Sequence, residues 1–184
     1  MSFARVRALV VVGVLAVAAI VFVVVTLVRD TQRGSTNGSD CPAGAPLADI
    51  RLPNDPAQVK IKVYNGTNKS DVAEQVSNEF ANRRFVVEKP GKTKTRVDGV
   101  AEIRYGPDTV GKAQLLRAYF LARSTMVYNA KRKGDVVDII IGNQFQQLAT
   151  TTEVNQSLGA EGEPTLPPGA CLKPVTETTE PDTE

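Results

Sequence analysis

The 184-residue chain contains no histidine and no tryptophan, and only 5% of its residues are aromatic. Histidine is the commonest general base in enzymes and the commonest protein ligand of transition metals. The two cysteines cannot alone complete a four-ligand zinc site. We therefore expect a protein that is not an enzyme and that carries no metal and no cofactor. The alternative, an enzyme with a lysine or carboxylate base, would need a deep pocket lined by ionisable residues.

The formal net charge of +2 conceals two regions of opposite sign. Residues 55–149 contain 16 Lys and Arg against 10 Asp and Glu, a net charge of +6. Residues 150–184 contain one Lys against seven acidic residues, a net charge of −6. A basic region is thus followed by an acidic tail. Because the basic region has few aromatic residues to stack on bases, nucleic acid is not a predicted partner.

Residues 8–28 form an apolar run without a charged residue, in which Thr26 is the only polar side chain. As a helix this run would be about 32 Å long, which is enough to cross a hydrocarbon core of roughly 30 Å. A retained membrane anchor is favoured, because the run is longer than a signal-peptide core and no small-residue cleavage site follows it. A cleaved signal peptide stays the alternative.

The basic residues around this run indicate its orientation. Arg5, Arg7 and the terminal amine precede it, while Arg29 and Arg33 follow it, so the positive-inside rule gives a small preference for a cytoplasmic N-terminus. We expect a single-pass protein of the cell membrane with an extracytoplasmic C-terminal domain. The predicted parts are a cytoplasmic stub (1–7), a transmembrane helix (8–28), a flexible stalk (29–56), a folded domain (57–148) and an acidic, Thr/Pro/Glu-rich tail (149–184).

The two cysteines, Cys41 and Cys171, lie in Pro/Gly-rich stretches on either side of the predicted domain. An even cysteine count in an exported chain favours a disulfide, which would tether the tail at Cys171. Unpaired thiols and pairing between two chains are the alternatives.

The hydrophobic pattern predicts an α+β domain. Val59, Ile61 and Val63 alternate with polar residues, which predicts a half-buried strand at 59–64, and Ser70 is expected to cap the helix that follows. Further along the chain we expect strands at 85–89, 100–105 and 136–141, a second helix ending near 123, and a short extended piece at 126–128. This order is the split β-α-β-β-α-β arrangement, ferredoxin-like or SPOR-like, with one sheet and two helices on one of its faces. In that arrangement the first and last strands are antiparallel neighbours.

Four segments carry a family resemblance. They read VYNGT at 63–67, FVV at 85–87, RYGP at 104–107 and DIIIGNQF at 138–145. In this order they resemble the LytR C-terminal domain family, whose members have an NG[TS] turn, a YGP-like strand end and a G-x-[DQ]-[FY] exit from the last strand. The resemblance implies a domain that supports cell-envelope integrity without catalysis. A SPOR-like peptidoglycan-binding module is the alternative function, because it shares the split arrangement.

Two sets of residues are candidates for binding. Asn65, Gly66 and Thr67 precede a helix and could present backbone N–H groups to an anion, although a plain structural turn is the alternative. Basic residues could bind an envelope glycan, an anionic lipid or an envelope protein, with ordinary solvated charge as the alternative. These basic residues are Arg83, Arg84, Lys89, Lys92, Lys94, Arg96, Lys131, Arg132 and Lys133.

Overall fold

The structure, a computed structural model, describes residues 13, 15–21, 23 and 41–174. The chain divides into two units, 1–40 and 41–184. In the first unit the described residues are helical and their side chains are exposed. Among all the described residues, no helix is long and apolar enough to cross a membrane. The predicted stub, most of the predicted span 8–28, residues 29–40 of the predicted stalk and residues 175–184 of the predicted tail lie outside the described residues.

The second unit is a mixed α+β domain. Its elements in chain order are β1 (Leu47–Ala48), β2 (Lys60–Asn65), α1 (Val72–Asn82), β3 (Val86–Val87), β4 (Gly91–Lys92), β5 (Ala101–Tyr105), α2 (Val110–Tyr119), β6 (Thr125–Tyr128), β7 (Val136–Ile141), α3 (Thr151–Glu161) and β8 (Cys171–Leu172). Short 3-10 helices at Pro56–Gln58 and Pro107–Thr109 precede β2 and α2. The predicted positions of the main strands and of the first two helices agree with this order.

The main sheet has the strand order β3-β2-β7-β5-β6, and β4 pairs with the end of β2. The pairs β2–β3 and β5–β6 are parallel, and α1 and α2 form the respective crossovers. Parallel neighbours need such a crossover, which is usually a helix. Strand β7 lies between the two βαβ units, parallel to β2 and antiparallel to β5.

The parallel pairing of β2 with β7 corrects the prediction that the first and last strands are antiparallel. The reason is β6, which the sequence indicated only as a short extended piece. Strand β6 has the direction that the last strand would have in the split arrangement, but it pairs in parallel with β5 at the edge of the sheet and does not lie beside β2. The chain then turns back once more, so β7 runs in the opposite direction to β6.

One hydrophobic core lies between the sheet and its helices. Ile61, Ile103 and Ile139, one from each of three strands, are fully buried and pack with Phe80 of α1 and Leu116 of α2. Both helices therefore cover the same face of the sheet, as the sequence predicted. The rings of Phe80 in α1 and Tyr119 in α2 lie 5.6 Å apart between centroids, so the two helices are neighbours.

Helix α3 lies in the region predicted to be the acidic, Thr/Pro/Glu-rich tail (149–184). Thr150 and Glu153 form a capping box at its start, and Val154 is buried in the main core. Glu161, near its end, lies 3.2 Å from Arg117 of α2. Ordered structure therefore extends beyond the predicted boundary at residue 148.

Ordered structure also begins before residue 57, in what we name the clasp, residues 41–56 and 163–174. The predicted disulfide between Cys41 and Cys171 is confirmed, and β1 pairs in parallel with β8 beside it. The clasp rests on the start of α2, where the Gly111 N–H donates to the Asp49 carbonyl at 3.0 Å. A side chain at Gly111 would collide with the backbone of Arg51, so glycine is required there.

Candidate functional site

Strand β2 ends in a turn whose side chains bond to one another. The Asn65 side-chain amide donates to the Lys69 carbonyl at 2.6 Å and accepts from the Thr67 hydroxyl at 2.8 Å. That hydroxyl accepts in turn from the Lys69 N–H at 3.0 Å. The side chains of Asn65 and Thr67 therefore hold the turn together. Asp71 is the residue at the N-cap of α1 and makes no side-chain capping bond, so the prediction that Ser70 caps this helix is wrong.

The backbone N–H groups of the turn are also used within the protein. Gly66 donates to the Ile141 carbonyl at 2.9 Å, and Thr67 donates to the Asn65 side chain at 2.9 Å. Asn68 donates to the side-chain oxygen of Asn143 at 3.2 Å. Together with the Lys69 bond, these contacts leave no N–H of residues 66–69 for an anion. The geometry matches the structural alternative for this turn.

Three separate segments meet at this end of the sheet. The Val97 N–H donates to the Gly66 carbonyl at 3.2 Å, and the Asn143 N–H donates to the Val97 carbonyl at 2.8 Å. The guanidinium of Arg96 donates to the Thr67 carbonyl. We name this assembly the turn end and define it as residues 65–69, 92–97 and 142–146. It brings the NGT turn, part of the predicted basic loop and the exit from β7 together.

The nine predicted basic residues are divided between the two ends of the sheet. Lys92 pairs with Asn65 at the end of β2, so Lys92, Lys94 and Arg96 belong to the turn end, and Lys89 precedes them beside β2. The other five residues, Arg83, Arg84, Lys131, Arg132 and Lys133, precede β3 or β7, whose starts lie beside the start of β2. We name this opposite end, together with the clasp, the clasp end.

Three of the five basic residues at the clasp end are engaged within the domain. Arg83 lies over the ring of Tyr119, 5.5 Å from its centroid. Arg84 pairs with Asp55 at 3.2 Å, and Arg132 pairs with Asp138 at 2.9 Å. Lys131 and Lys133 are exposed, and within residues 41–174 neither lies within ion-pair distance of a carboxylate.

The cations of the turn end, and Lys89 beside it, are not compensated by acids. Within residues 41–174 no carboxylate lies within 4.0 Å of the charged atoms of Lys69, Lys89, Lys92, Lys94 or Arg96. All five of these residues are exposed. Lys69 was not among the predicted binding residues, because it stands alone in the sequence; only the fold places it beside the basic loop.

A shallow groove of about 140 Å³ runs along the turn end. Its lining combines amide side chains with one lysine and a little apolar surface: Thr67, Lys69, Val72, Gln75, Gly142, Asn143, Phe145 and Gln146. Only Thr67 belonged to a predicted site. The amide residues between positions 143 and 147 were a sequence signal for Asn143 and Gln146. Gln75, by contrast, lies beside them only in the folded protein.

A larger, more open cleft lies at the clasp end, lined among others by Asp49, Arg51, Asp108 and Lys112. Its acids are paired: Asp49 with Arg51 at 2.5 Å, and Asp108 with Lys173 at 3.3 Å. The hydrogen bonds from Arg51 hold the pKa of Asp49 below its usual value of 3.8. In the described part of the chain, no three His, Cys, Asp or Glu side chains are grouped so as to hold a metal ion.

The part of the chain that forms the main sheet, α1, α2 and most of the turn end is similar to a known protein family. Residues 58–145 match the family model of the LytR cell envelope-related transcriptional attenuator. The match indicates a cell envelope-related protein and agrees with the resemblance seen in the four sequence segments. It includes the NGT turn and the exit from β7 as far as Phe145, whereas the clasp and α3 lie outside it.

A solved structure is also similar to this chain. It is the crystal structure of the soluble domain of a conserved hypothetical secreted protein, an ortholog of Rv2700, from Mycobacterium marinum. The two share 20% sequence identity with a TM-score of 0.47, over 66% of this chain and 82% of that one. No curated protein matches the sequence of this chain.

Proposed function

We propose that this is a single-pass, membrane-anchored envelope protein that supports envelope integrity by binding an anionic envelope glycan, without catalysis, through the turn end. The uninterrupted apolar run at 8–28 supports the anchor. The disulfide between Cys41 and Cys171 supports an oxidising, extracytoplasmic location, since disulfides are rare in the cytosol. The family match supports a role in the cell envelope.

The observation that carries the proposal is the gathering of uncompensated cations at one end of the sheet. Lys69 and Arg96 reach this end from different segments and join Lys92 and Lys94 there. A group of cations without acidic partners raises the local positive potential and attracts polyanions. At the clasp end the potential is lowered by pairing, as in Arg132 with Asp138 and Arg84 with Asp55.

An apolar anchor, a connecting segment and a single LytR C-terminal module together resemble the actinobacterial envelope-integrity protein Cei and its relative VirR. This layout supports a role in envelope maintenance. The SPOR-like alternative depended on the split βαβ arrangement. Because β2 and β7 are parallel, the topology gives that alternative no support.

The proposal can be tested by sedimentation with purified cell-wall sacculi. The full-length chain, solubilised in detergent, should pellet with sacculi that retain their anionic polymers and much less with sacculi chemically stripped of them. Binding should weaken strongly between 0.05 and 0.5 M NaCl, since salt screens exposed charges. Anionic lipid vesicles form a parallel arm; preferential binding to vesicles would assign the cations to lipid instead.

Charge variants locate the binding end. We expect the triple substitution Lys69→Gln, Lys92→Gln, Lys94→Gln to weaken sacculus binding tenfold or more. The matched control, Lys131→Gln with Lys133→Gln, removes exposed lysines from the clasp end and should change binding less than twofold. Absence of pelleting at low salt, or an equal loss in the control, would reject the proposed site.

A further inference from the structure

The amide groups of the groove at the turn end are available to a ligand. Within residues 41–174 the side-chain amides of Gln75 and Gln146 have no hydrogen-bond partner, and both residues are exposed. Asn143 uses only its side-chain oxygen, which accepts from Asn68, and its amide nitrogen is free. The groove therefore presents unused donors and acceptors on fixed elements, with Gln75 on α1 and the other two after β7.

The rest of the lining is apolar or cationic. Val72 and Phe145 are partly exposed and offer a small apolar surface between the amides. The ring of Phe145 packs edge to face against the ring of Phe120, with 6.0 Å between ring centroids. Lys69 is the only charged residue of the lining, and no carboxylate belongs to it. A neutral, hydroxyl-rich group would therefore meet no electrostatic repulsion in the groove, even where a negatively charged group of the same polymer lies next to it.

This combination matches one chemical group closely. A side-chain amide carries an acceptor oxygen and two N–H donors, so it can pair with an acetamido group through both its C=O and its N–H. The acetamido methyl then fits an apolar surface between the amides. At about 140 Å³ the groove is small compared with clefts of roughly 300–1,000 Å³ that enclose small molecules. It suits one sugar of a chain that continues over the surface.

We propose that the groove binds an N-acetylated amino sugar of the envelope glycan. This inference rests on the proposed function and deepens it. The cations attract the polymer over several ångströms, whereas Gln75, Asn143 and Gln146 recognise the acetamido group by direct hydrogen bonds. Because those bonds are formed by neutral groups, the recognition should depend little on salt.

The test uses two neutral tetrasaccharides with the full-length chain in detergent. One is the β-1,4-linked tetramer of N-acetylglucosamine; the other is the glucose tetramer of the same linkage. Saturation-transfer difference NMR reports which ligand protons contact the protein. We expect the strongest transfer at the acetamido methyl groups, little change between 0.05 and 0.5 M NaCl, and at least tenfold weaker binding of the glucose tetramer.

Variants assign the effect to the groove. Gln75→Ala with Gln146→Ala should weaken binding of the acetylated tetramer about tenfold, because the hydrogen bonds from two side-chain amides are lost. Gln156→Ala, at an exposed position of α3, is the matched control and should leave binding unchanged. No transfer to the acetylated tetramer, equal binding of both tetramers, or full binding by the double variant would overturn the inference.

The outcomes separate this inference from the proposed function. The lysine triple variant should lose sacculus binding and yet bind the neutral tetramer within about threefold of the wild type, since only Lys69 lines the groove. If the wild type bound the acetylated tetramer but pelleted equally with intact and stripped sacculi, the cationic site alone would be rejected. If the wild type pelleted preferentially with intact sacculi but did not bind the acetylated tetramer, the acetamido site alone would be rejected.

Discussion

At the clasp end most charged side chains lie against a partner of opposite charge, whereas at the turn end the cations lie without one. Arg84, Arg132 and Lys173 each reach an aspartate in the clasp end. Lys92 and Lys94 reach none among residues 41–174. The two ends belong to one sheet, so the contrast does not arise from different folds.

The difference shows how a small domain separates stability from recognition. Hydrogen bonds and ion pairs made within the clasp end, together with its disulfide, join the start and the end of the domain. The turn end is rigid for another reason: its backbone and the side chains of Asn65 and Thr67 are internally bonded. That rigidity leaves the outer amides and lysines free, and a preorganised surface loses less entropy when it binds a ligand.

The largest predicted effect comes from removing the disulfide by the double substitution Cys41→Ser, Cys171→Ser. The bond closes a loop with a sequence separation of 130 residues. The chain-entropy model gives roughly 4–5 kcal/mol for loops of about this length, and measured values are often smaller. We expect the free energy of unfolding to fall by about 3–5 kcal/mol, measured by urea denaturation of the full-length chain.

In the same double cysteine variant, ligand binding should change much less than the free energy of unfolding. Under conditions in which the domain is still folded, affinity for the acetylated tetramer should stay within about twofold of the wild type. A folded variant that has lost tetramer binding would show that the clasp end controls the turn end, which would contradict the separation of stability from recognition.

A matched pair of glycine substitutions, Gly66→Ala and Gly111→Ala, tests the two ends with the same chemical change. At Gly66 a new Cβ would lie 2.7 Å from Cγ2 of Ile140 and 2.8 Å from the carbonyl oxygen of Ile141. At Gly111 it would collide with the carbonyl oxygen of Arg51. Overpacking of this kind costs about 1–3 kcal/mol, so both variants should be less stable in urea.

Only the Gly66→Ala variant should also weaken tetramer binding, because it displaces the turn end. Gly159→Ala in α3 serves as the control: a Cβ there meets nothing within 4 Å. Alanine in a helix interior is favoured over glycine by about 0.5–1 kcal/mol, so this variant should be neutral or slightly more stable. Equal loss of binding in the Gly66 and Gly111 variants would contradict the separation of the two ends.

The sequence allowed the main strands, the first two helices and the disulfide to be predicted, because their signals are local. Val59, Ile61 and Val63 show strand periodicity directly, and all three are fully buried. Strand direction is not local. The parallel pairing of β2 with β7 depends on whether the short segment at β6 is a strand, and four residues carry too little periodicity to decide it.

Helix α3 was hard to predict for a related reason. Helix α3 begins with Thr150 and Glu153, a capping-box signature, but it offers only Val154 and Leu158 as large apolar residues in a polar, acidic stretch. Its stability comes from contacts with α2 and the core, which the composition does not show. In the groove, likewise, Gln75 and Gln146 lie 71 positions apart and meet only after folding.

The smallest predicted effect concerns Asp49, whose two carboxylate oxygens accept from Arg51 at 2.8 and 2.5 Å. Because these bonds hold the pKa of Asp49 below 3.8 in the folded protein, the stability they contribute is present above the unfolded value and is lost as the pH falls through the folded value. The side chains are 21% exposed for Asp49 and 62% exposed for Arg51, so the pair should contribute less than about 1 kcal/mol. We expect Asp49→Asn to lower the urea midpoint slightly at pH 7 and to differ less from the wild type near pH 2–3. A difference of the same size at both pH values would mean that Asp49 stabilises the clasp by its packing, and the contrast between paired and unpaired charges would then not explain the stability of this end.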